Sequence, residues 1–174
     1  MLGRNVKKTV TNSNFSLLFE PIKSLIKDSP IIANLESPLT LSQEQSIVKT
    51  NSPIFSGKPY IAKQLSKNNF VALSLANNHI FDHGKSGFIN TKNILEKSNI
   101  KCFGAGLNLK EALEPARIKI DGFDISFFGA SYRPIANTTS PGVTHIYSDA
   151  LIKRIRNEKK LKKKKYHYSF FTYG

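Results

Sequence analysis

The sequence predicts an α/β fold. Short apolar runs suited to buried strands alternate with segments whose apolar residues recur at helical spacing, and the densest polar clusters fall directly after the strands. In open sheets of this class ligands collect beyond the C-terminal ends of the strands, which makes those clusters the candidate site. At 174 residues, 40% apolar and 22% charged, the chain has the size and composition of one folded domain.

Taken in order, Phe15 to Lys27 spaces Leu18, Ile22, Leu25 and Ile26 for one face of an amphipathic helix. Asp28-Ser29-Pro30 ends it, because the residue before proline avoids helical angles. Ile31-Ile32-Ala33 reads as a short buried strand with Asn34-Leu35-Glu36 at its C-terminal end. A polar connection from Ser37 to Lys58 leads, after Pro59, to a short helix through Ala62 and Leu65. Phe70 to Leu75 forms a second buried strand, followed at once by Ala76-Asn77-Asn78-His79. Beyond Asp82-His83-Gly84, the set Phe88, Ile89, Ile94 and Leu95 describes another amphipathic helix, ended by Ser98-Asn99 before a strand from Ile100 to Phe103. Gly104-Ala105-Gly106 reads as a turn and Leu109 to Leu113 as a short helix. Ala116 to Ile120 and Phe123 to Gly129 make two strands around Asp121-Gly122, a strong hairpin signal. The Pro, Asn, Thr and Ser content predicts a long surface loop from Ser131 to Thr144, after which Asp149 opens a helix that runs into the lysines.

Several function classes recede on composition. No apolar run approaches the roughly 20 residues that cross a bilayer, and Met1-Leu2-Gly3-Arg4 is not a basic start followed by an apolar stretch; the chain as written reads as soluble, and cytoplasmic by default. The single cysteine, Cys102, forms neither an internal disulfide nor a cysteine metal cage. The net charge of +14 invites a nucleic-acid or anionic-membrane reading, but Leu151 to Gly174 alone holds nine Lys/Arg against one acid. Most of the charge is therefore a tail property, and no nucleic-acid partner is expected.

Two motifs carry candidate chemistry. Asn34-Leu35-Glu36 sets an amide and a carboxylate two positions apart, on one side if the strand continues through them, although Asn and Glu after a strand equally suit turn caps. Asn77-Asn78-His79-Ile80-Phe81-Asp82-His83-Gly84 is denser: amides, imidazoles and a carboxylate are costly to bury without partners. These groups are suitable ligands for Mn, Fe or Zn, and an imidazole beside them can protonate a leaving oxygen near neutral pH. Left-handed turn geometry for the asparagines and a neutral, packed His79 is the plain structural alternative. His83 has the weaker claim of the two histidines.

The strings Asn34-Leu-Glu-Ser-Pro-Leu-Thr40, Ser74-Leu-Ala-Asn-Asn-His79 with Asp82 and Gly84, Thr91 with Leu95, Gly104-Ala-Gly-Leu-Asn108, and Glu111-Ala112 with Pro115 occur in the order seen in the CapA family, which this chain resembles from its first residues to about Gly129. The resemblance implies a calcineurin-like metallophosphoesterase-type domain over 1–150, a partial four-layer α/β/β/α sandwich, with 151–174 as a basic helix and tail. It implies a divalent metal (Mn, Fe or Zn) with Glu36 and Asn78 at the metal site. His79 is then the catalytic acid and Asp82 the residue that orients it, with Asn34, Asn77 and His83 as weaker substrate or metal contacts. The implied role is in making or anchoring poly-γ-glutamate or a related surface polymer, with polymer-synthesis machinery as the partner.

Members resembling this chain open with a strand ending in Gly-Asp before residues like Met-Leu-Gly-Arg, so the first strand and its Asp are expected to be missing, and a lost upstream segment would carry any anchor. The family pattern also places a hydrophobic strand ending in His-x-Gly after the lysines, where this chain reads Lys165-Tyr-His-Tyr-Ser-Phe-Phe-Thr-Tyr-Gly174. Reading the codons one base later recovers something like Ile-Ile-Ile-Val-Ser-Leu-His-Met-Gly, so Tyr166 to Gly174 is expected to be out of frame and the family's later histidines absent. Three functions follow: a metal-dependent hydrolase; a non-catalytic accessory or polymer-binding protein, favoured for the isolated chain; and, resting on the lysine tail alone, a basic nucleic-acid-binding module.

Overall fold

The computed structural model describes residues 14–42, 53–161 and 167–171, and the α/β class expected from the sequence holds. A 3-10 turn, Phe15–Leu18, precedes α1 (Glu20–Ile26) and β1 (Ile31–Asn34). Then come α2 (Ile61–Lys67), β2 (Phe70–Ser74), α3 (Gly84–Lys97), β3 (Lys101–Phe103), β4 (Ala105–Gly106) and α4 (Leu109–Ala112). The remainder is β5 (Ala116–Ile120), β6 (Phe123–Ala130), β7 (Gly142–Val143), α5 (Asp149–Leu161) and β8 (His167–Phe171). Strands β1, β2 and β3 pair in that order, β4 pairs with β7, and β5, β6 and β8 form a third sheet. Two compact units emerge, one from Met1–Leu73 with His79–Lys101, the other from Ser74–Asn78 with Cys102–Gly174.

In the first unit α1 departs from expectation. Phe15 is buried, its ring packs on Phe19, and Phe19 packs on Phe70, whereas Leu25 is 81% exposed and Leu18 and Ile22 are also exposed. The 3-10 turn and Phe19 separate Leu18 from the helix, whereas Ile22, Leu25 and Ile26 keep their helical spacing within α1, which buries none of its residues. The stretch after β1 is a second correction. Instead of a polar connection, Ser37, Leu39 and Thr40 are buried, and Leu39 bridges Gly57 in parallel. The hydroxyls meet backbone needs there: Thr91 Oγ1 accepts from the Leu39 N–H at 2.9 Å and donates to the Gly87 carbonyl at 2.7 Å, and Thr40 Oγ1 accepts from the Ser42 N–H. Helix α3 buries Phe88, Thr91 and Leu95; of the apolar set anticipated for it, Ile89 and Ile94 are only half-buried.

In the second unit the Asp121-Gly122 hairpin forms as predicted. Ile120 faces Phe123 across the turn, and both turn residues take positive φ, 49° and 83°. Gly104-Ala105-Gly106 supplies β4 rather than only a turn, pairing Ala105 with Val143. The segment 131–144 is accordingly not all surface, since Ser131, Ala136, Val143 and Thr144 are buried. Gly104, at φ 88°, lets its backbone approach that of Gly129 beside the Ala76 methyl: a Cβ there would lie 2.7 Å from the Ala76 Cβ and 2.8 Å from the Gly129 Cα.

Helix α5 docks through Leu151, which joins Phe128 and Ala130 in a buried cluster flanked by Leu113, Ile146 and Ile155. Beside it Glu158 is fully buried and fully engaged. Its carboxylate accepts from Arg117 Nε (2.7 Å) and Nη2 (2.9 Å), Ser126 Oγ (3.0 Å) and Arg154 Nη1 (2.9 Å). The hydrogen bond to Glu158 raises the Arg117 pKa against an opposing desolvation. Strand β8 runs parallel to β6, with Ser126 opposite His167 and Ala130 opposite Phe171. Of the segment expected to be out of frame, Tyr166 and residues 172–174 lie outside the described residues.

Candidate functional site

The site grows from a tight turn. After the second unit's segment Ser74–Asn78, the first unit resumes at His79, and two hydrogen bonds coil the chain toward α3: the Asp82 N–H to the His79 carbonyl and the Gly84 N–H to the Phe81 carbonyl, both 3.0 Å. Two apolar residues anchor the turn, since Ile80 and Phe81 are fully buried and Phe81 stacks on Phe88 at 4.8 Å between ring centroids. With the backbone so fixed, positions three apart lie side by side, which brings His79 and Asp82 together.

Asp82 Oδ2 lies 2.9 Å from His79 Nδ1 and also accepts from the Phe55 N–H at 2.7 Å. Both side chains are buried, and the Phe55 ring packs on the imidazole with centroids 4.2 Å apart. An ionised carboxylate only accepts hydrogen bonds, so Nδ1 is the donor and Nε2 is the nitrogen through which the neutral ring accepts a proton or ligates a metal. Two donors converging on one carboxylate oxygen also hold Asp82 in place. The arrangement is a buried imidazole–carboxylate pair, and its members are the two residues for which the resemblance implied an acid and its orienter.

Strand β1 stops at Asn34, which is exposed; Leu35 is buried and Glu36 half-buried, so the condition for Asn34 and Glu36 to share a strand face is not met. His83 stands at the N-terminal end of α3 without a side-chain capping bond, packed so closely that a Cβ on Gly87 would come within 2.5 Å of its own Cβ. Its buried Nε2 has no hydrogen-bond partner among the described residues, nor has the buried Ser37 Oγ. Asn77 is buried and Asn78 half-buried, both in the second unit. Among the described residues no group of three or more His, Cys, Asp and Glu converges to hold a metal ion. Glu36 and Asn78 remain individual candidate donors.

Sequence reasoning missed Phe55. Its contribution is a backbone N–H and a ring delivered from 27 positions away, and nothing in the residues near the motif signals it.

Comparison with known proteins adds three findings. A family model described as bacterial capsule synthesis protein PGA_cap matches residues 1–167. The chain is 28% identical over 172 residues to the capsule biosynthesis protein CapA of Bacillus anthracis, covering 94% of this chain and 41% of that protein. It is 27% identical over 166 residues to the PGA biosynthesis protein CapA of Bacillus subtilis (strain 168), covering 92% of this chain and 43% of that one. The chain thus spans less than half the length of these curated relatives.

Proposed function

This chain belongs to the bacterial capsule synthesis protein family PGA_cap, and on that premise we propose that it is part of a metal-dependent phosphoesterase-like domain acting in the synthesis or anchoring of a capsule polymer of the poly-γ-glutamate kind. The observation that supports this best is the buried His79–Asp82 pair at 2.9 Å. In this reading His79 gives or takes a proton at Nε2, and Asp82, held by the Phe55 N–H, keeps the ring in the tautomer that makes Nε2 available for chemistry.

A bound divalent metal (Mn, Fe or Zn) would supply Lewis acidity toward a phosphate-like or ester group, and Glu36 and Asn78 are the residues of this chain proposed to contribute ligands. The described residues do not by themselves complete a ligand set. The isolated chain is accordingly proposed to act as an accessory or polymer-contacting piece, without turnover of its own. Proteins that build the polymer are its proposed partners. No helix among the described residues is long and apolar enough to cross a membrane.

A phosphodiesterase assay with manganese, run on this chain and on a version extended to the length of its relatives, tests the reading. The extended protein is expected to turn over substrate and His79→Ala to lower its rate by about 10²–10⁴, while the isolated chain is inactive. An extended protein indifferent to His79→Ala would remove His79 from the chemistry. Turnover by the isolated chain, abolished by the same substitution, would overturn its accessory role.

A further inference from the structure

Helix α5 segregates its charge by face. Toward the second unit's core, Arg154 is paired with Glu158 and Glu114, and Leu151 is buried. On the opposite side Lys153, Arg156, Lys159 and Lys160 are exposed within eight residues, and among the described residues no ion pair involves any of the four. Ile152 stands among them, 46% exposed, and Tyr147, 76% exposed, lies two residues ahead of the helix with its ring against His145. The same stretch of sequence continues into Lys162–Lys165, outside the described residues.

We propose that this outer face of α5 docks on an anionic lipid surface. Like charges within about 12 Å along one helix face repel one another in water and are relieved by a partner of opposite sign. An anionic bilayer offers such a partner in a plane, and its interfacial zone also accepts an exposed isoleucine and a tyrosine, whose ring and hydroxyl suit the headgroup level. A soluble polyanion neutralises the cations but leaves Ile152 in water. A single-stranded nucleic acid would need aromatic platforms between the charges, and none stands among Lys153, Arg156, Lys159 and Lys160; Tyr147 lies ahead of the helix, at one end of the charged run. The inference is independent of the reading of His79, because it uses none of the same residues.

Sedimentation of the full 174-residue chain with vesicles tests it, using phosphatidylcholine alone or with about 30% phosphatidylglycerol, a composition that sets up the surface potential in question. Binding is expected only to the anionic vesicles and is expected to weaken as salt rises. Replacing Lys153, Arg156, Lys159 and Lys160 together by Gln should lower the partition coefficient on the order of a hundred-fold, and Ile152→Ser should lower it several-fold. Neutralising four exposed lysines elsewhere (Lys63, Lys67, Lys97 and Lys119) changes net charge equally and should cost less than about three-fold. Circular dichroism verifies that each variant folds; should the quadruple variant fail, Lys159→Glu alone should still cost about ten-fold or more. Equal losses in the two quadruple variants would overturn the proposal, since bulk charge would then explain the binding. So would equal binding to neutral vesicles, or an α5-dependent affinity for soluble polyglutamate or duplex DNA without affinity for vesicles.

Discussion

Replacing Asp82 by alanine tests whether the His79–Asp82 pair is a built arrangement. One carboxylate oxygen receives two buried donors, His79 Nδ1 at 2.9 Å and the Phe55 N–H at 2.7 Å. Truncation strands both, and each unsatisfied buried donor costs about 1–3 kcal/mol. Water entering the vacated space recovers part of that, so the expected loss is about 2–4 kcal/mol. Asp82→Asn separates charge from geometry: an amide oxygen at the Oδ2 position keeps both contacts at roughly half the charge-assisted strength, for a loss of about 1–2 kcal/mol. Urea unfolding followed by circular dichroism reads these differences. Nitrogen-detected NMR of the His79 ring supplies an independent measure, because the Nδ1–H tautomer enforced by the carboxylate should give way to Nε2–H in the alanine variant. An alanine variant within about 0.5 kcal/mol of the parent, the range of an ordinary surface substitution, and with its tautomer unchanged, would refute the reasoning.

Two further substitutions probe the second unit. Glu158→Gln leaves Arg117 and Arg154 without their shared carboxylate. Breaking a buried pair costs about 3–5 kcal/mol, but the arginines are 43% and 20% exposed, so solvent screening reduces the expected loss to about 1.5–3 kcal/mol, read as a lower urea midpoint. Gly104→Ala combines a positive φ with two contacts under 3 Å and is expected to cost more than about 2 kcal/mol, whereas Gly122→Ala meets only the conformational penalty of about 1–2 kcal/mol because nothing lies within 4 Å. Similar melting temperatures for the two alanine variants would discount the close packing at Gly104.

Much of this was legible in local pattern. Asp121-Gly122 announces its hairpin because two consecutive positive-φ positions suit few other residue pairs, and the three-residue spacing of His79 and Asp82 brings them together in any tight turn. Legibility fails where the deciding contact is remote in sequence. Ser37 to Thr40 looks like polar connection, yet Thr91, 52 positions beyond Leu39, supplies the acceptor that allows its backbone to be buried. The α1 segment fails in the opposite direction: Ile22, Leu25 and Ile26 keep a genuine helical spacing, but the helix buries none of its residues. The lysine-rich helix concealed Glu158, whose burial depends on Arg117 and Ser126 in different strands.

The same distinction between local and remote contacts explains why the His79–Asp82 contact is present among the described residues while a converging group of three or more His, Cys, Asp and Glu is not. An i, i+3 pair needs one turn, two buried aromatic rings and a single incoming N–H, all within the first unit. A metal site needs several ligands from different strand ends to converge within about 2–2.5 Å of a common point, so its formation scales with the number of strands that reach it. Glu36 follows one strand and Asn78 another, and each motif contributes few donors. If the extended protein binds manganese and this chain does not, the ligands that complete the set lie in sequence the two do not share, and the His79–Asp82 geometry should be the same in both. A different His79 tautomer in the extended protein would mean instead that metal binding rebuilds the turn.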